Sequence, residues 1–229
     1  MTPSRRRFLN WLGSASLVGV AARPSMLRAD AVRPDGSEPG HAPPIAEAWD
    51  MSWTTRVTGK YKAAFDSPEF GYGGAVIRAV AWCGQYKEVY GAERSEMSPV
   101  VILRHNGFHL AMNDEYWGIA EVGKELKVRD ERGKKWMKTN PVGPRPEGAS
   151  AGAVKNSIPG FIAAGGIVLV CGWSFGGAVQ SIRKAEKLET AAAEARAKAM
   201  LLPGVILQPN GIFAALRAQE AGCSYILAS

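Results

Sequence analysis

Residues 165–177 read GGIVLVCGWSFGG, and the fold turns on how that stretch is read. Ile167-Val168-Leu169-Val170 is a short unbroken apolar run that stops at Cys171 and enters a glycine-rich turn before a helical pattern. A strand covered by helices on both faces needs such a run, because neither side of it meets water. In open α/β sheets the loops leaving the carboxyl ends of such strands converge on one rim, where ligands bind. Two chemistries compete for this rim. Gly172-Trp173-Ser174-Phe175-Gly176 spells the G-x-S-x-G pattern of a nucleophile elbow, with Ser174 as the nucleophile. One residue earlier, Cys171 stands where the partial positive charge of a helix N-terminus favours a thiolate.

Outward from this stretch, apolar runs alternate with helical patterns. Residues 61–65 (YKAAF) predict a first strand stopped by Asp66-Ser67-Pro68, and 71–90 a helix with Val76, Val80 and Val89 near one face. Residues 98–104 (SPVVILR) predict a second strand, followed by a loop at His105-Asn106-Gly107. Asn113-Asp114 can cap a helix holding Trp117, Ile119, Val122 and Leu126. Residues 127–152 are charged, then rich in proline and glycine, and predict a protruding hairpin or mobile loop. After the Cys171 turn a helical region runs over 177–200, with a fourth strand at 205–207. Asn210 caps a helix over 212–221, and 223–227 form a short last strand. Alternation of this kind predicts a three-layer α/β/α domain around a mainly parallel sheet of about five strands.

The formal charge of +7 on 229 residues would ordinarily raise nucleic acid or an anionic membrane as partners. The first thirty residues hold Arg5, Arg6, Arg7, Arg23 and Arg28 against Asp30 alone, which leaves 23 basic and 20 acidic residues elsewhere. Nucleic acid is therefore not expected. Residues 4–10 (SRRRFLN) match the twin-arginine export signature, and the apolar segment 11–22 is too short and too rich in small residues to span a bilayer as a mature helix. The expectation is a signal peptide over 1–31 with Ala29-Asp30-Ala31 as the best cleavage site and the bond after Ala22 as a second, a periplasmic destination, and membrane contact only through the signal if it stays uncleaved. Residues 32–48, dense in proline, glycine and charge, predict a disordered linker holding a solvated His41, and the α/β domain occupies 49–229.

The hydrolase reading lacks its base, since an α/β-hydrolase places its histidine after the serine, whereas His41, His105 and His109 all precede Ser174. Cys171 is the stronger candidate, weighed against the ordinary role of free cysteine as a small buried apolar residue. Cys83 and Cys223 read as packing residues; no C-x-x-C spacing is present, and a Cys171–Cys223 disulfide is left open. His105, His109 and Met112 offer imidazole and thioether groups of the kind copper or haem accepts, but with no further ligand in the run they form an incomplete set, and neither metal nor cofactor is expected. His105 opens onto the same rim as Cys171. Asn113, Asp114, Gly172, Ser174 and Asn210, at strand exits and helix starts, are candidate ligand-binding residues.

The strand-to-cysteine turn VLVCG, the segment VVILRHNGFHLAMND and the closing LLPGVILQPNGIFAALRAQEAGCSYILAS resemble the DsrE/DsrF-like proteins, in particular their exported, signal-bearing group. The resemblance spans residues 53–229. It implies a three-layer α/β/α domain around a largely parallel five-stranded sheet, assembled as a homo-oligomer. It also implies a cysteine at this strand end that carries sulfur as a persulfide, which maps onto Cys171, with a sulfur-carrying partner or a small thiol as its counterpart. A non-catalytic binding or assembly module using the same cleft is the alternative.

Overall fold

The computed structural model describes residues 49–130 and 132–229. The expected signal peptide and linker lie outside the described residues, as does His41. Among the described residues no helix is long and apolar enough to cross a membrane.

Five strands form the sheet: β1 (Tyr61–Ser67), β2 (Met97–Leu103), β3 (Ile167–Cys171), β4 (Ile206–Gln208) and β5 (Ser224–Leu227). Their order is β4-β3-β2-β1-β5, with every pairing parallel. Each residue of β2 and of β3 is buried, as the apolar runs require when helices cover both faces. Pro99 is tolerated within β2 because pairing with β3 begins only at Val100↔Ile167.

The chain order dictates the layers. From β1 through β4 each strand is laid on the same side of the last, so right-handed crossovers put the intervening helices on one face. These are α1 (Gly74–Tyr90), the short α2 (Asp114–Ile119), α3 (Val122–Glu125), α4 (Ala151–Lys155) and α5 (Ile158–Ala163), then α6 (Gly172–Glu186) and α7 (Thr190–Ala199). The step from β4 back to β5 runs the other way and places α8 (Gly211–Glu220) on the opposite face. Alternate strand residues divide accordingly. Phe65, Val101, Leu103, Val168 and Val170 join the larger core with Trp117 and Phe175, while Ala64, Val100, Ile102, Ile167 and Leu169 pack with Ala214 and Ala218 of α8 and with Trp53.

Several boundaries differ from the sequence reading. Helix α6 begins at Gly172, immediately after β3 and without a loop, and the helical region expected over 177–200 is two helices that part at Lys187, whose φ is +55°. The helix expected after Asn113 is split at Glu121, another left-handed residue. Residues 127–152 form a hairpin-like turn only in part: Arg129 bridges Trp136, and its guanidinium lies 4.1 Å from that ring. Farther on, Asn140 is buried and donates to the carbonyls of Leu110 and Met112 at 2.6 and 2.8 Å, so this part is a plug in the core rather than a protrusion.

All three cysteines are free. Cys171 closes the carboxyl end of β3, whereas Cys223 precedes the amino end of β5, three strands away. At about 4.8 Å per strand the two are separated by roughly 14 Å across the sheet alone, about twice what a disulfide tolerates between Cα atoms, and their opposite strand ends add to it. The disulfide left open in the sequence is thus excluded.

Candidate functional site

The carboxyl rim is built from the exits of all five strands. Cys171 is the last residue of β3 and the N-cap of α6, 5% exposed, with extended backbone angles. No acidic residue occupies the first turn of this 15-residue helix, so nothing on the helix itself offsets the partial positive charge at its start. Gly172 follows, and its residue type is set by close approach: a Cβ there would lie 2.7 Å from the carbonyl oxygen of Gln208 and 2.8 Å from that of Pro209. The absence of a side chain lets α6 start directly against the exit of β4.

Ser174 lies in the first turn of α6, and no non-glycine residue from 171 to 177 has a positive φ. The sharp, strained strand-to-helix turn of a nucleophile elbow is therefore not formed here. Instead the Ser174 hydroxyl oxygen accepts a hydrogen bond from the backbone N–H of His105 at 3.0 Å. One residue further, Phe175 packs edge-on against Phe108 with ring centroids 6.5 Å apart. The exits of β2 and β3 are thereby tied into one unit. His105 is exposed and held at φ +46°, a left-handed conformation uncommon for a residue with a side chain.

Across the exits of β2, β1 and β5 lies a polar cluster, centred on Asp66, that the sequence reading did not assemble. The Arg104 Nε donates to both carboxylate oxygens of Asp66 at 2.9 and 3.1 Å, and a terminal guanidinium nitrogen donates to Oδ2 at 2.8 Å. The Tyr225 hydroxyl donates to the same Oδ2 at 2.6 Å. Asp66 is only 1% exposed, so these donors replace the water it gave up on folding. Its hydrogen bond raises the pKa of Arg104, and the corresponding bond, followed by desolvation, raises that of Tyr225. Continuing the β2–β3 register one residue past Leu103↔Val170 sets Arg104 opposite Cys171. Gly211, the first residue of α8, is packed onto the Arg104 side chain, where a Cβ would come within 2.5 Å of its Cδ. Cys171, a guanidinium and the starts of two helices thus share this edge of the sheet. The signal in the sequence was that Asp66 and Arg104 are each the first charged residue after an apolar strand run; strand order is what makes them neighbours.

The remaining candidates are engaged in building the rim. Asn113 caps α2 by accepting from the Tyr116 N–H at 3.0 Å, and Asn210 caps α8 by accepting from Phe213 N–H at 2.8 Å. The Asp114 carboxylate accepts from Asn140 N–H at 2.7 Å and so seats the core plug. His109 and Met112 turn inward while His105 faces solvent, so the three do not converge. The His109 Nδ1 lies 3.3 Å from the Tyr116 hydroxyl, and its ring stacks on that phenol. Burial lowers its pKa to about 4. Of the other thiols, burial pushes Cys223 up to about 11 and also raises half-buried Cys83.

No family model, curated protein or solved structure matches this chain.

Proposed function

We propose that the rim around Cys171 is a thiol site that accepts and passes on sulfur as a persulfide, in an exported protein, in keeping with the resemblance to DsrE/DsrF-like proteins. The observation that carries this reading is the position of Cys171 at the N-cap of α6, whose first turn has no acid, with Arg104 opposite it in register. The unpaired backbone N–H groups at a helix start can donate to an anionic sulfur group placed there. In the proposed step the Cys171 thiolate attacks the outer sulfur of a persulfide donor R–S–SH. A new S–S bond forms at Cys171, the donor's S–S bond breaks, and R–S⁻ leaves with the electron pair, so the exchange needs no outside oxidant or reductant. An acceptor thiolate reverses the step.

A second reading, a non-catalytic module binding a small ligand at the same rim, is favoured by one specific observation: Cys171 is only 5% exposed. One experiment separates them. The folded, reduced full chain is incubated with a small-molecule persulfide, and its cysteine peptides are mapped by mass. Sulfur transfer predicts one added sulfur atom on the Cys171 peptide. A Cys171 peptide that stays unmodified while the donor remains active supports the binding module and sinks the carrier.

A further inference from the structure

At the opposite end of the sheet from Cys171, where β2 begins, a cavity of about 340 Å³ opens between α1 and the pair α4–α5. Its size falls in the range of small-molecule sites. Val80, Met97, Phe161 and Ala164 give it apolar walls. At the same cavity stand three cations, Lys87, Arg94 and Lys155, and none of them is in an ion pair among the described residues. The one carboxylate present, Glu93, is engaged with the backbone N–H of Glu96 in a capping box. Arg94 is anchored by a 2.7 Å bond from one terminal guanidinium nitrogen to the Met97 carbonyl, while the other, Nη2, is buried with no hydrogen-bond partner. That nitrogen is closed to water as the structure stands, so a ligand carboxylate entering from the cavity meets it only after a shift of the Arg94 side chain, and a charged acceptor makes the stronger bond.

We infer that this cavity binds a small carboxylate bearing an apolar tail, the carboxylate on Arg94 with Lys87 and Lys155 nearby and the tail against Val80, Met97 and Phe161. The apolar walls give a bare inorganic anion nothing to use beyond the mouth, and three cations repel an amine of the same shape. The site is independent of the rim: its residues come from α1, the start of β2 and α4–α5, and none is shared with Cys171. Cys83 lines the cavity and reports on its occupancy.

Octanoate, with about ten heavy atoms, fits within this volume range and is the probe. Titration calorimetry on the full chain is expected to show one octanoate bound per chain and no binding of octylammonium, and octanoate is expected to slow alkylation of Cys83, resolved from Cys171 and Cys223 by peptide mapping. Two variants test the assignment. A Cβ at Gly84 meets nothing within 4 Å, so Gly84→Leu fills the cavity while improving helix propensity in α1, and it should weaken octanoate at least tenfold with no loss of thermal stability. Reversing two exposed charges, Lys87→Glu with Lys155→Glu, should do the same without touching the walls. Octylammonium binding as tightly as octanoate, an unchanged octanoate affinity in either variant, or no octanoate binding at millimolar concentration would overturn the assignment.

Discussion

Acid should weaken this fold in part through one histidine ring. His109 packs between Phe108 and Tyr116, and burial holds its pKa at about 4 against an ordinary value of 6.5. The folded chain therefore keeps this ring neutral over a range in which the unfolded chain protonates it. The sign follows: the stability is fully present above pH 6.5 and is lost as pH falls toward 4. At pH 4.5 the unfolded state is favoured by about 2.5 kcal/mol relative to pH 7.5, from the ratio of proton binding to the two states. Carboxylates titrate in the same window, so the measurement is a difference: urea unfolding of the wild type and of His109→Phe at both pH values. The variant loses its bond to Tyr116 equally at each pH and has no imidazole to protonate, so the wild type should lose about 2.5 kcal/mol more on acidification. An identical pH dependence in the two proteins would refute the reasoning, as would an assigned His109 ring proton that titrates near 6.5 in the native state.

Three further outcomes are expected. Asp66→Ala leaves Arg104 and Tyr225, both within reach of water, without their acceptor and should cost about 2–3 kcal/mol in denaturant unfolding, whereas Tyr225→Phe, which removes one donor of several, should cost about 1 kcal/mol. Gly172→Ala drives a methyl into the Gln208 and Pro209 carbonyls and should lower stability by about 2 kcal/mol, while Gly176→Ala, which meets nothing, should raise it by up to about 1 kcal/mol through helix propensity; thermal melts of both distinguish them. Asn210→Ala removes the cap of α8 and should cost about 1 kcal/mol, with faster amide exchange in the first turn of that helix.

The strands were legible because burial on both faces leaves no room for polar residues: VVIL in β2 and IVLV in β3 carry their own assignment, and the βα alternation led to the parallel sheet. The start of α6 was not legible. Glycines at 172, 176 and 177 argue against a helix by propensity, yet Gly172 is required by its contact with the β4 exit, and Gly176 and Gly177 face open space. Helices α4 and α5 were missed although Ser150 and Ser157 cap them and Pro159 sits in the first turn of α5, because each is about one and a half turns long and neither carries a sustained periodicity. At the rim, the placement of Cys171 at a strand end was readable, and the structure puts it at the N-cap of α6. Arg104, Asp66 and Tyr225 come from three strands far apart in the chain, and only the order β2-β1-β5 brings them together. Asn113 and Asn210 were readable as helix caps, and Ser174 as the serine of a G-x-S-x-G run; in the structure all three side chains accept from backbone N–H groups.

The most direct test of the proposed role of Cys171 follows one sulfur atom in and out of the native chain. The reduced full chain is loaded with isotopically labelled persulfide, freed of donor, and then given a small acceptor thiol, with the cysteine peptides mapped by mass at each stage beside a Cys171→Ser control. The account predicts label on the Cys171 peptide after loading, its transfer to the acceptor afterwards, and neither event in the control. Label confined to half-buried Cys83, or absent from all three cysteine peptides, would contradict it.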